Sequence, residues 1–313
     1  MTIEIIAELA QGFEGKPEQA KLLLKAAAAA GATAAKFQLI NANELATPDY
    51  KYFDLFKSLE MSDEIWIELS NFALELNINL QFDIFGSQSL KLAEKTNVST
   101  VKMHGTDITN ISLLKKVAES SVKKVLLGAG GACLTEIEKA LKILNNKQVV
   151  VLLGFQGYPT PNEDNQIWRL SFLSNFFQSN YPFASIGFAD HAPSDNLSFA
   201  LSAVAMGAGA TVIEKHLTLG QIMKLEDHES ALNPDQFLEF TNILHSCWDA
   251  IGKTSDSINF EMSLSEQNYR KMVRRHVVAK TDLKSGHKIT PENLELKRTS
   301  STKNVTDLSQ IYD

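Results

Sequence analysis

GFADHAPSDN (residues 187–196), TVIEKHLTL (211–219) and LEDHESALNPD (225–235) decide how the chain folds. Two apolar, strand-like runs, IGFADH and ATVIEKH, each end on a histidine, His191 and His216. Residues 196–206 between them carry an amphipathic, helical pattern. Strand, helix, strand is a βαβ unit, and its parallel strands end on the same side of a sheet. One histidine in a strand is more often a hydrogen-bonded structural residue. Two at matching strand ends, with Glu214, Asp190 and Asp227 nearby, form a candidate site for one divalent metal with open positions.

Working outward, the same alternation recurs. Candidate strands are IEIIAEL (3–9), AAKFQL (34–39), LQFDIF (80–85), TVKMHG (100–105), KVLLGAG (124–130), VVVLLGF (149–155), ASIGFAD (184–190) and TVIEKHL (211–217). Segments such as PEQAKLLLKAAAAAG and LTEIEKALKILNN separate them, with apolar residues at helical spacing. Ser62 and Thr135 read as N-caps, Gly31 and Asn77 as stops. Strands alternating with helices imply a parallel sheet. Eight units over about 250 residues match a closed (β/α)8 TIM barrel. An open doubly wound sheet stays open as the alternative, although no glycine-rich dinucleotide fingerprint follows the first strand.

With 313 residues, 44% hydrophobic and 21% charged, the chain has the composition of a globular protein able to bury one large core. Apolar runs such as VVVLL (149–153) are far too short to cross a bilayer. MTIEIIAELA lacks a basic region and reads as the first strand rather than a secretory leader. Cys133 and Cys247 have neither metal-type nor disulfide-framework spacing, which points to a reducing cytoplasm. A net charge of −7 argues against nucleic acid or an anionic membrane as main partner, but not against a small anion met by a few local lysines.

A barrel places its working residues at strand ends. Those ends carry Glu8, Lys36, Gln38, Asp83, Lys102, His104, Gln156, Tyr158, Asp190, His191, Glu214 and His216. A lysine in a barrel strand must face something anionic, either a carboxylate or a substrate, so Lys36 and Lys102 stand out. Gly128, Gly130 and Gly131 leave backbone N–H groups that suit a phosphate or carboxylate, although such a run is as often a tight turn. Residues 1–251 thus read as a barrel domain and 252–275 as a linker with one short helix. Residues 276–313 form a small appendage with strand-like VVA and LELKR, too short to bury much core alone.

Together these motifs resemble the sialic acid (N-acetylneuraminate) synthase family, whose members condense phosphoenolpyruvate with an N-acylated hexosamine. IIAELAQGFEGKPEQAKLLLKAAAAAGATAAKFQ is similar to the family's opening and places Glu8, Lys36 and Gln38 at functional positions. TVKMHGTD places Lys102 at a phosphate-contacting lysine, and GYPTP supplies Tyr158, with Gln156 near that turn. ADH, EKH and EDHESALNP resemble the segments with the metal histidines (His191, His216), the glutamate Glu214 and the sugar-contacting Asp227. The last segment resembles part of an antifreeze-like (SAF) domain, with Arg298 in its KR pair.

The resemblance implies a homodimer in which Arg298 reaches the partner's barrel, and a divalent ion, Mn2+ or else Mg2+ or Co2+, on His191 and His216. It implies catalytic roles for Glu8, Glu214 and Gln38. Substrate contacts fall to Lys36, Lys102, Tyr158, Gln156, Asp190, Asp227 and Arg298. There are departures. Gly12 and Phe13 replace an Asn-His pair, Gly105, Gly128 and Ala189 replace serines, Gln156 replaces an asparagine and His104 a glycine. Three functions therefore stay open: a phosphoenolpyruvate-dependent synthase of a nonulosonic acid, a metal-dependent aldolase or lyase using another donor, and a non-catalytic paralogue.

Overall fold

A computed structural model describes residues 3–154, 157–194, 196–252, 261–300 and 305–311. Eight parallel strands close into a barrel in chain order. They are β1 (Glu4–Ala10), β2 (Ala34–Leu39), β3 (Asn79–Ile84), β4 (Thr100–Met103), β5 (Lys124–Gly128), β6 (Gln148–Leu153), β7 (Ala184–Asp190) and β8 (Val212–His216). The long helices on the connections are α1 (Pro17–Ala29), α2 (Asp63–Glu75), α3 (Ser87–Lys95), α4 (Ile111–Glu119), α5 (Leu134–Ile143), α6 (Trp168–Asn180), α7 (Asn196–Gly207) and α8 (Pro234–Ile251). β1 pairs with both β2 and β8, so the sheet is closed and the open alternative is excluded.

Local chemistry explains most boundaries. Pro17 opens α1, where a missing N–H costs nothing. Gly31 and Asn77 take positive φ values of 75° and 56°, which stops the preceding helices as expected. One cap differs from expectation: Cys133, not Thr135, precedes α5, and its N–H donates to Glu136 Oε2 at 2.8 Å. The downstream glutamate captures the free N–H and sets the helix start two residues earlier.

Side chains alternate along each strand between the barrel interior and the helical shell. Ile6, Ala34, Leu126, Val150, Leu152 and Val212 form a separate apolar cluster inside the barrel. Outward residues such as Ile5, Ala7, Phe37, Phe82, Val125 and Ile213 join the larger core under the helices. Phe13, Phe37, Trp66 and Phe82 meet edge-on there, with ring centroids 5.3–5.7 Å apart. Phe13, one of the departures in the first connection, is thereby a fully buried core residue. Continuing along the inward phase past the apolar cluster leads to Glu8, Lys36, Lys102, Glu214 and His216.

The described chain divides into two compact units, Met1–Gly252 and Lys253–Asp313. The second holds α9 (Leu264–Val273), capped reciprocally by Ser263 and Glu266, and an antiparallel pair, β9 (His276–Ala279) and β10 (Leu294–Lys297). Among its described residues only Val277 and Leu294 are buried apolar side chains. No described helix is long and apolar enough to cross a membrane.

Candidate active site

Strand register builds the site. Glu8 lies beside Lys36 on β2 and beside His216 on β8, and Asp83 on β3 lies beside Lys102 on β4. Glu8, Lys36, Asp83, Lys102 and Glu214 are all nearly or fully buried. Lys36 Nζ donates to Glu8 Oε2 and lies 3.7 Å from Asp83 Oδ2 and 3.6 Å from Glu214 Oε2. Lys102 Nζ donates to Glu214 Oε1 at 2.7 Å and lies 3.6 Å from Asp83 Oδ2 and 3.9 Å from Glu8 Oε2. Three carboxyls thus surround two ammoniums. Neither oxygen of Asp83, nor Glu214 Oε2, makes a protein hydrogen bond. Each of these carboxyls nevertheless faces a lysine ammonium through an oxygen that makes no hydrogen bond, at 3.6–3.7 Å.

The carboxyls differ in proton affinity. Burial raises the Glu8 pKa to about 7; Lys36 opposes this and Glu214 reinforces it. Burial also pushes Glu214 up, but Lys102 and Lys36 together outweigh it and hold that carboxyl well below the usual range. Burial disfavours the Lys102 ammonium, yet Glu214, Asp83 and Glu8 more than compensate and raise it well above an ordinary lysine. Near neutral pH, Glu8 is therefore poised to exchange a proton while Glu214 stays ionised.

Beside this cluster, the rings of His191 and His216 have centroids 5.5 Å apart. Tyr158 sets its ring edge-on to both, at 5.1 and 5.6 Å. His216 Nδ1 lies 3.8 Å from Asp227 Oδ2. Burial, then the neighbouring His191, keep the His216 pKa well below the ordinary value, so it presents a neutral ring with a lone pair. Burial raises the Asp227 pKa to about 7, aided by Glu226 and Glu8. The Tyr158 phenol is pushed up by burial and then by Asp227, and remains a hydrogen-bond donor.

Among the described residues no group of three or more His, Cys, Asp or Glu side chains is arranged to hold a metal. A closed structural cage is thus absent from them. Two imidazoles do converge, with the His216 ring held neutral, and such nitrogen donors are of the type that a divalent ion accepts at an open site.

Not every expected residue joins this cluster. Asp190 requires a correction as a substrate contact. Its carboxylate is fully buried, accepts from Ser202 Oγ on α7 at 2.7 Å and from the Ala192 N–H at 2.9 Å, and pairs with Lys215 at 3.0 Å. Strand alternation turns it toward the helical shell while Ala189, one residue earlier, faces inward. Gln38 lies further along β2, where its Oε1 accepts from Gln11 Nε2 at 2.8 Å. Arg298 is exposed in the second unit and donates to the Val273 carbonyl at 3.2 Å. Gln156 lies outside the described residues.

The substituted positions also have structural readings. Gly105 and Gly128 pack backbone against backbone: a Cβ on Gly128 would lie 2.7 Å from the Gly105 nitrogen. His104 stands at the end of β4 with its ring 5.5 Å from that of Phe85, and burial lowers its pKa. Lys215 and Ser202 escaped the sequence reading. The available signal was the alternation Glu214–Lys215–His216, which sends a lysine out of the barrel between two inward residues.

The family profile described as the NeuB family matches residues 23–256. An N,N'-diacetyllegionaminic acid synthase of Campylobacter jejuni is 31% identical, over 94% of this chain and 90% of its own length. The N-acetylneuraminate-9-phosphate synthase of Mus musculus is 26% identical, over 94% and 82%. Among solved structures, the N-acetylneuraminic acid (sialic acid) synthetase of Leptospira borgpetersenii, crystallised with citrate, superposes with a TM-score of 0.77 at 26% identity. That match covers 88% of this chain and 93% of the other. With a family match spanning most of its length and a barrel whose strand ends gather acids, lysines and paired histidines, the chain belongs to the NeuB family.

Proposed function

We propose that this protein condenses phosphoenolpyruvate with an N-acylated hexosamine, giving a nonulosonic (sialic-type) acid and inorganic phosphate. The observation that carries the reading is the meeting of paired histidines, Tyr158 and Asp227 with a buried lysine–carboxylate cluster at one barrel mouth. The likeness to synthases of N,N'-diacetyllegionaminic acid and of N-acetylneuraminate 9-phosphate supports it.

In this reading Lys36 and Lys102 bind the carboxylate and phosphate of the donor, whose charge they offset in a site removed from water. Carbon 3 of the donor bonds to the aldehyde carbon of the open-chain sugar. Water adds its oxygen to carbon 2; as the bond from carbon 2 to the phosphate oxygen breaks, the new hydroxyl becomes the ketone carbonyl and its proton leaves with the phosphate. The new alkoxide takes up one proton and the water gives one up. Glu8, with its pKa near 7, exchanges these protons, while the ionised Glu214 orients the Lys102 ammonium and the water. Tyr158 and Asp227 hold sugar hydroxyls, with Gln38 further along β2; Gln156 and, in a homodimer, the partner's Arg298 are substrate contacts that this reading carries over from the family resemblance alone. His191 and His216 hold a divalent ion, Mn2+ or else Mg2+ or Co2+. Such an ion supplies Lewis-acid polarisation of the aldehyde. We place the reaction in the cytoplasm, in keeping with the two free thiols, Cys133 and Cys247.

A second reading, a metal-dependent aldolase using an unphosphorylated donor, draws on the three carboxyls that already offset both lysines and on the closed Gly105–Gly128 contact. Phosphate release from phosphoenolpyruvate with Mn2+ and a panel of N-acyl hexosamines separates the two. Sugar-dependent release that vanishes in His191→Ala is expected. Absence of release with every sugar, although Mn2+ binds, would move the assignment to the aldolase.

A further inference from the structure

Between the inward Glu214 and His216, Lys215 points out of the barrel and is fully buried. Its register partner across the sheet is Asp190, the residue just before His191. Lys215 Nζ lies 3.0 Å from Asp190 Oδ1 and donates at 2.8 Å to the carbonyl of Ala192, the residue just after His191. Asp190 Oδ1 also accepts the Ala192 N–H, and Asp190 Oδ2 accepts Ser202 Oγ. The carbonyl of His191 accepts from the Thr160 N–H at 2.9 Å and from Ser230 Oγ at 2.7 Å. Both neighbours of one histidine are thus tied to the residue preceding the other.

We infer that Lys215, acting through Asp190, is a positioning residue that sets the backbone of His191 against His216 and so sets the spacing of the two imidazoles. The inference rests on the reading of these histidines as metal ligands. A buried ion pair gives little net stability over well-packed apolar side chains of similar volume, because removing both charges from water offsets their attraction. This pair does have a geometric consequence. A two-imidazole site leaves most of the coordination shell to water and substrate, so its affinity depends on holding both rings within about half an ångström of the productive spacing. The ammonium reaches both sides of His191 from the strand that carries His216, which makes the two ligand positions one mechanical unit.

The test compares wild type, Lys215→Met/Asp190→Leu and Ser202→Ala, each metal-free and then titrated with Mn2+ alone. Free Mn2+ is read by electron paramagnetic resonance and stability by thermal melting in EDTA. The double variant, apolar on both sides, is expected to melt within a few degrees of wild type yet bind Mn2+ at least tenfold more weakly. Ser202→Ala, which removes one hydroxyl behind Asp190, is expected to weaken binding about threefold. Mn2+ affinity at the wild-type level in the double variant would overturn the inference. If that variant does not fold, wild-type affinity in Ser202→Ala overturns it instead. Failure of the metal reading has a different signature, in which wild type and His191→Ala bind Mn2+ equally poorly. Positioning is then read from the His191 imidazole resonances, assigned with His191→Ala. They are expected to shift in the variant that folds while those of His276 and His287 stay in place, and an unmoved His191 signal would overturn the inference.

Discussion

Lys102 Nζ donates to Glu214 Oε1 over 2.7 Å, linking β4 and β8 across the barrel interior and 112 residues of sequence. Both side chains are nearly fully buried, so each depends on the other for the charge that water would otherwise solvate. Lys102→Met leaves Glu214 with Lys36 alone, 3.6 Å away and without a hydrogen bond, and Asp83 with one ammonium fewer. The expected loss is about 3 kcal/mol of unfolding free energy, by analogy with broken buried pairs. Urea denaturation of the metal-free protein measures it. Unchanged stability would show that the pair is not closed in solution.

Asp83 faces both ammoniums, at 3.7 and 3.6 Å, without a hydrogen bond of its own. Its carboxylate therefore competes with any incoming anion for Lys36 and Lys102. Asp83→Asn keeps the shape and removes one negative charge. Binding of phosphoenolpyruvate, followed by calorimetry with Mn2+ present, is expected to tighten about tenfold or more, corresponding to roughly 1.4 kcal/mol. Equal or weaker binding would contradict that competition.

Glu8 makes stability depend on pH. Burial raises its pKa from 4.5 to about 7 in the fold, so the folded chain favours the protonated form. That contribution is fully present below pH 4.5 and is lost as pH rises through 7. Glu8→Gln cannot ionise. Between pH 5 and 7.5 the metal-free wild type is therefore expected to lose on the order of 2 kcal/mol relative to the variant. Parallel stability curves would refute the raised pKa.

Gly128 leaves no room for a side chain. An added Cβ meets the Gly105 nitrogen at 2.7 Å and the Met103 carbonyl at 3.1 Å, both backbone atoms that cannot rotate away. Gly128→Ser is expected to cost about 1–3 kcal/mol, as overpacked cores do. Gly105→Ser, whose Cβ meets its nearest neighbour at 3.3 Å, costs less. Thermal melts of the two variants give the order, and Gly128→Ser melting at or above Gly105→Ser would show that the β4 and β5 ends are further apart.

Local pattern made much of this legible. Each of the eight strands lies within two residues of where apolar runs and turn residues put it, because the period of two and the helical stops are properties of short segments. The same strand ends named Glu8, Lys36, Lys102, Glu214, His191 and His216. Strand ends alone do not say which way a side chain turns, and so Asp190 was grouped with its neighbour His191 although the pleat sends its carboxylate to Ser202 and Lys215.

The sequence by itself determined the order and number of strands and helices and the residue types at the mouth, since all of these follow from short-range periodicity and chain length. Tertiary structure alone decided the rest. It closed the barrel through β1 and β8, put three carboxyls around two lysines, pressed Gly105 against Gly128, buried Phe13 among Phe37 and Trp66, and tied both neighbours of His191 to Lys215. Those relations join residues tens to more than a hundred positions apart. Their distances depend on strand register and on which face each pleat presents, neither of which is encoded in any one segment.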